Sequence, residues 1–187
     1  MEDLVFRGRD FIFLDLEFSS LRPDAEIIEI GGLLVNHKNF KIEKEFDYKI
    51  KMLHPEKADP QSLNLVGYNE DLWKDAILID EALNELYKIF EDKIMVGFNL
   101  AMDFARLERA FYEAKILSNN QIADPFYKRK IDVLSIAYFV LKDNPEIKYF
   151  SLRELCNYFK IPIPKEHCAL EDARATYFLF LKLLGYN

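Results

Sequence analysis

The chain has 187 residues, half of them hydrophobic and 14% aromatic, with 25 Lys and Arg against 32 Asp and Glu, a formal charge of −7. A chain of this length buries about 70% of its unfolded surface, so overall disorder and a fold that depends on covalent staples are excluded. The acidic balance argues against coating duplex DNA through a broad basic surface, and leaves room for a narrow site where cations offset clustered carboxylates.

Residues 1–10 mix acids with Arg and lack the apolar stretch of a signal peptide, and the late apolar run at residues 177–184 is broken by Lys182. No membrane span is expected, and a soluble cytoplasmic protein is the default. Phe11–Phe18 is apolar on both faces between Asp10 and Ser19-Ser20, which predicts a strand central to a sheet. Ile27–Val35 predicts a second strand, with Gly31-Gly32 marking a bulge or a close approach, and residues 40–52 alternate as a third. Short links make these three antiparallel neighbours.

Residues 54–79 carry Pro55 and Pro60 and fit no single period, predicting an irregular loop with short helical turns. Asp80 is placed as the cap of a helix to about Phe90, followed by a buried strand at residues 94–98 and a helix over about 100–115. Ile131-Asp132-Val133 reads as a brief strand and residues 134–141 as a helix. Ser151 caps a helix at Leu152–Phe159 that Pro162 and Pro164 stop, and a last helix covers about 169–184 until Gly185 ends it. Cys156 and Cys168 form no Cys-x-x-Cys pattern, so they read as buried thiols rather than zinc ligands or a disulfide. Antiparallel strands first and strand-helix alternation afterwards predict one α/β domain over residues 1–187, a mixed sheet with helices on both sides.

Asp15 and Glu17 lie two apart on the first strand and so share a face, inside an otherwise apolar run. Paired carboxylates on a buried strand are costly unless a cation compensates them, and hard divalent cations take oxygen ligands. Asp24-x-Glu26 has the same spacing but lies in a polar turn. Asp103 flanks the apolar stripe of Leu100, Phe104, Leu107 and Phe111 and could pair loosely with Arg106. His167 stands five positions before Asp172, which places the His in an approach loop and the Asp in the first helical turns. The pair His54 and Asp59 repeats that spacing among prolines with no apolar helix after it. Ala169, Ala173 and Ala175 allow close packing of the last helix, with Leu170, Tyr177, Leu181 and Leu184 toward the core.

Taken in order, Asp15-x-Glu17, Asp103, and His167 with Asp172 resemble the DEDDh branch of the 3′-to-5′ exonucleases. The resemblance extends through Phe13-Leu-Asp-Leu-Glu, Glu26-Ile-Ile-Glu-Ile-Gly-Gly, Val96-Gly-Phe-Asn-Leu-Ala-Met-Asp-Phe-Ala-Arg-Leu, Ile131-Asp-Val-Leu and His167-Cys-Ala-Leu-Glu-Asp-Ala-Arg-Ala-Thr. In the sister DEDDy branch a Tyr stands four before the final Asp, where this chain has Cys168. The chain departs from the family pattern at Phe98, at Met102 and at Phe18-Ser19-Ser20, none of which is a metal ligand.

The resemblance implies an RNase H-like fold with a five-stranded mixed sheet, and hydrolysis of DNA or RNA from the 3′ end to nucleoside 5′-monophosphates. It implies two Mg²⁺ or Mn²⁺ ions, with Asp15 bridging both, Glu17 and Asp172 on the first and Asp103 on the second. His167 is implied as the base, which suits an imidazole near neutral pH. Single-stranded nucleic acid or a 3′ overhang is the implied partner. Phe18, Ser19 and Asn99 are candidate substrate contacts; Phe18 could instead be core, and Asn99 could cap its helix. Two other readings stand beside this one. A metal-dependent phosphatase would begin with Asp-x-Asp rather than Asp15-Leu16-Glu17, and an inactive binding module would be favoured by a missing ligand, whereas all five residues are present. With the chain stopping soon after its last helix, a freestanding nuclease is expected rather than a polymerase subunit.

Overall fold

The computed structural model describes residues 6–118, 121–122, 129–163 and 167–186. Residues 1–5, where no signal peptide is expected, and Pro164, placed as a helix stop, lie outside them. Strands β1 (Phe11–Phe18), β2 (Ile27–Val35), β3 (Ile42–Lys49) and β4 (Ile94–Gly97) precede a separate two-stranded ladder of β5 (Leu117–Ser118) and β6 (Gln121–Ile122). Strand β7 (Lys130–Asp132) completes a five-stranded sheet of order β3-β2-β1-β4-β7. The pairs β1-β2 and β2-β3 are antiparallel and β1-β4 and β4-β7 are parallel, so the sheet is mixed with β1 at its centre, as the apolar run of β1 predicts.

Six helices are described: α1 (Pro60–Val66), α2 (Ile79–Phe90), α3 (Ala101–Glu113), α4 (Val133–Leu141), α5 (Leu152–Phe159) and α6 (Ala169–Leu183). The two faces of β1 bury different partners. Ile12, Leu14 and Leu16 pack with Leu83, Leu86 and Phe90 of α2 and Leu107 and Phe111 of α3. Phe11 and Phe13 face the other way, onto α5 and α6, where the Phe13 ring lies 5.3 Å from Tyr177 and 5.4 Å from Phe180. Each such side chain contributes roughly 1.5–3 kcal/mol by leaving water, which makes this double-sided strand the centre of the core. No helix of the described residues is long and apolar enough to cross a membrane.

Several local expectations are corrected. Helix α2 starts before Asp80, because the Glu81 carboxylate accepts the Leu78 N–H at 3.1 Å, so Leu78 is the cap, two residues earlier than expected. Strand β3 is shorter than residues 40–52, since Asn36 and Lys41 close a turn and Phe40 takes a left-handed φ of 55°. Leu184 is exposed beyond the end of α6, and Cys168 is half-buried while Cys156 is fully buried. The 54–79 segment is more ordered than its sequence suggests. It holds a 3-10 turn at Pro55–Lys57 and then α1, and Trp73 folds back to donate its indole N–H to the Ile28 carbonyl at 3.0 Å.

Candidate active site

Along the α6-facing side of β1, the side chains change from Phe11 and Phe13 to Asp15 and Glu17, so the aromatic core gives way to carboxylates at the strand's carboxyl end. On the same face of β2, Gly31 stands opposite Asp15 and Glu29 opposite Glu17. Gly31 is a close approach rather than a bulge. A Cβ there would lie 2.1 Å from the Leu170 main-chain N, so the start of α6 rests directly on the β2 backbone. That seating brings Asp172, in the first turn of α6, over the end of β1.

Asp103 comes from the opposite direction. The close link from β4 to α3, with Gly97 against Leu100 and Asn99 at φ 56°, places Asp103 in the first turn of α3, where it is buried. Main-chain N–H groups at Asp103 and Leu16 and the Arg106 guanidinium favour its charged form, but burial outweighs them and pushes its pKa up to about 7. Burial, then the negative charges of Asp172, Glu29 and Asp103, push Glu17 up to about 8, with Lys49 opposing. Asp15 is raised well above the carboxylate range by burial and then by Asp103, Glu17, Asp172 and Glu29. These carboxylates repel one another across one small volume.

His167 precedes α6 in a left-handed conformation, φ 55°, and its main-chain N–H donates to Asp172 Oδ2 at 3.1 Å. Glu17, His167 and Asp172 each offer a ligand atom, all within 4.8 Å of one another, a spacing that suits a cation. The structure thus gathers Glu17, His167 and Asp172, with Asp15 close enough to Asp103, Glu17 and Asp172 for their charges to raise its pKa. Buried carboxylates whose charged form is disfavoured are a fit donor set for hard divalent cations, which restore the charge that burial opposes.

The other expected residues lie around this cluster. Phe18 is half-buried, with the Arg106 guanidinium 4.4 Å from its ring centroid. Arg106 is not a loose partner of Asp103 alone: it is buried and donates to the Ala25 carbonyl at 3.2 Å and the Arg22 carbonyl at 2.7 Å, fixing the turn between β1 and β2. Ser19 is buried, and its hydroxyl accepts the Glu26 N–H at 3.0 Å across the same turn. Asn99 is exposed and does not cap α3; its N–H donates to Asp132 Oδ1 at 2.9 Å, and Asp132 itself caps α4.

The look-alike motifs resolve into structural roles. Asp59 caps α1, the Glu26 carboxylate accepts the N–H groups of Leu53 and His54, and Asp24 pairs with Arg22. Sequence reasoning missed Glu29 and Lys49. Glu29 carried a usable signal, a lone carboxylate inside the apolar run Ile27-Ile28-Glu29-Ile30, the same context that singles out Asp15 and Glu17.

The RNase_T exonuclease family model matches residues 12–180. A DNA polymerase III PolC-type protein of Caldanaerobacter subterraneus subsp. tengcongensis is 27% identical over 176 residues, covering 94% of this chain but 12% of the relative's length. Escherichia coli exonuclease I, solved in complex with a dT13 oligonucleotide, superposes with a TM-score of 0.73 at 16% identity, covering 93% of this chain and 41% of that one. A 3′-exonuclease solved for specific recognition of the histone mRNA stem-loop superposes at 0.75 with 15% identity, covering 95% and 82%. A five-stranded mixed sheet with helices on both faces and an acidic cluster at the end of its central strand defines an RNase H-like nuclease fold. The chain belongs to the exonuclease family, in the DEDDh branch of the 3′-to-5′ exonucleases.

Proposed function

We propose that this chain forms one exonuclease domain over residues 1–187 that removes nucleotides from the 3′ end of single-stranded nucleic acid or 3′ overhangs, releasing nucleoside 5′-monophosphates. The observation that carries the reading is the convergence of Asp15, Glu17, Asp103, Asp172 and His167 at the carboxyl end of the central strand. Asp15, Glu17, Asp103 and Asp172 would hold two Mg²⁺ or Mn²⁺ ions. Bound there, such ions would lower the pKa of attacking water, orient the phosphate and neutralise charge on the attacking and leaving oxygens.

The chain's own groups supply the rest. The His167 imidazole, beside Glu17 and Asp172, takes a proton from the attacking water as its oxygen bonds to phosphorus. The bond from phosphorus to the 3′ oxygen of the preceding nucleotide breaks, and that oxygen leaves with the bonding pair and takes a proton from solvent water. Phe18 flanks the cluster as an aromatic face for the terminal base, held in place by Arg106, and Asn99 is an exposed polar group just before α3. Ser19 holds the turn on which Phe18 is mounted.

The polymerase name of the curated relative, the dT13 bound to one structural neighbour and the histone mRNA stem-loop recognised by another support nucleic-acid substrates of either sugar. Two cysteines free of disulfides suit a cytoplasmic location. The test is a panel of 5′-labelled single-stranded DNA, single-stranded RNA and di- to pentanucleotides with Mg²⁺ or Mn²⁺. Stepwise shortening that EDTA stops, with nucleoside 5′-monophosphate as product, is the expected result, and the panel ranks the substrates. Binding without cleavage by folded, metal-supplied protein would replace this reading with a binding module on the same scaffold.

A further inference from the structure

The most deeply buried carboxylate near the cluster belongs to none of the five residues. Glu29 on β2 is 1% exposed, and its Oε1 accepts from Lys49 Nζ at 2.7 Å, the Ala169 main-chain N–H at 3.0 Å and Cys168 Sγ at 3.5 Å. Its Oε2 is buried without a hydrogen-bond partner among the described residues. A buried carboxylate in this state is expensive to keep. Its cation is itself anchored: Lys49 stands 3.2 Å from Asp47 and 5.1 Å from the centroid of the Trp73 ring.

What Glu29 holds is the start of α6. Cys168 and Ala169 lie between His167 and Asp172, and the next residue, Leu170, is the one that rests on Gly31. Glu29 also faces Glu17 across the β1-β2 ladder. One rigid link therefore runs from β3 through Lys49 and Glu29 to the segment carrying both His167 and Asp172. We infer that Glu29, anchored by Lys49, is a positioning residue that sets the register of α6 on the sheet and so aligns Asp172 and His167 with Glu17. It acts through the groups it orients, as partners behind metal ligands do, where substitutions typically cost 10–100-fold in metal affinity.

The inference rests on the cation-dependent reading of the site, and the experiment separates the two. Mn²⁺ binding to metal-stripped protein is measured by the electron paramagnetic resonance of free Mn²⁺, alongside the melting temperature in EDTA. Wild type and Asp15→Ala come first: a wild type that binds no more Mn²⁺ than Asp15→Ala removes the functional reading itself. Given a binding wild type, Glu29→Gln, whose amide oxygen still accepts from Ala169, weakens Mn²⁺ about 10-fold, and Glu29→Ala about 100-fold. If Glu29→Ala does not fold, Glu29→Gln decides. A loss of threefold or more in folded Glu29→Gln supports the positioning role, and a smaller one overturns it. Lys49→Met separates positioning from net charge. Removing a cation beside the cluster tightens Mn²⁺ by attraction alone, whereas releasing Glu29 from its anchor weakens it, so tighter binding in Lys49→Met overturns the inference.

Discussion

At the level of single residues, chemistry is concentrated where a polar side chain stands in an apolar setting. Asp15 and Glu17 were legible because a two-sided buried strand has no use for carboxylates, and the same spacing at Asp24 and Glu26 proved to serve a turn. The substitution Asp15→Ala is expected to reduce cleavage by more than the roughly 10–100-fold typical of partners behind the ligands. A steady-state assay on a folded variant checks this. Arg106 was visible in the sequence only as a neighbour of Asp103, because its partners, the carbonyls of Arg22 and Ala25, lie more than 80 positions away. Charge-assisted hydrogen bonds contribute about 1.5–3 kcal/mol each, so Arg106→Met is expected to destabilise the fold by roughly 2–4 kcal/mol in chemical denaturation. It should also loosen Phe18 and raise KM more than it lowers kcat. An unchanged KM in a folded variant would place Phe18 outside substrate binding.

At the level of elements, the site depends on how two helices begin. A cap made by a nearby side chain could be read directly, as at Ser151, which accepts the Glu154 N–H, whereas Asp132 was read only as part of a strand and also caps α4 by accepting the Leu134 N–H. Seating of α6 on β2 could not, since the sequence shows two glycines at 31 and 32 but not what approaches them. Gly31→Ala is therefore the sharp test of this level. Its methyl group would meet the Leu170 backbone, which cannot rotate away, so the helix must lift. Overpacking of this kind costs roughly 1–3 kcal/mol. A loss of that size by denaturation, together with weaker Mn²⁺ binding, is expected. Wild-type stability and affinity would show that α6 has room to shift.

Across the whole molecule, element order carried the fold, while the site was assembled by topology. Residues 15, 17, 103, 167 and 172 are dispersed through the chain, and only the order of their settings, strand, helix and last helix, revealed that they meet. Lys49 stayed hidden because β2-β3 pairing, not spacing, sets it beside Glu29.

The clustered charge has a consequence for stability. Glu17 titrates at about 8 against an ordinary 4.5, and Asp103 at about 7 against 3.8. Between these limits the metal-free folded protein keeps protons that the unfolded chain has released, so its stability falls as pH rises from about 4.5 to 8. Divalent cations displace those protons and reverse the trend. In EDTA the melting temperature should fall across this window, and the increment added by Mn²⁺ should grow. A flat or rising profile in EDTA would mean that the carboxylates are compensated by other groups.

The central claim is directional hydrolysis at the cluster, and it is tested most directly by following one single strand labelled at its 5′ end and, in a parallel reaction, at its 3′ end. With Mn²⁺, wild type is predicted to release the 3′ label as mononucleotide in the first turnover while the 5′-labelled strand shortens in single steps, and Asp15→Ala to do neither. Early release of the 5′ label, internal cuts, or equal activity in folded Asp15→Ala would contradict the account.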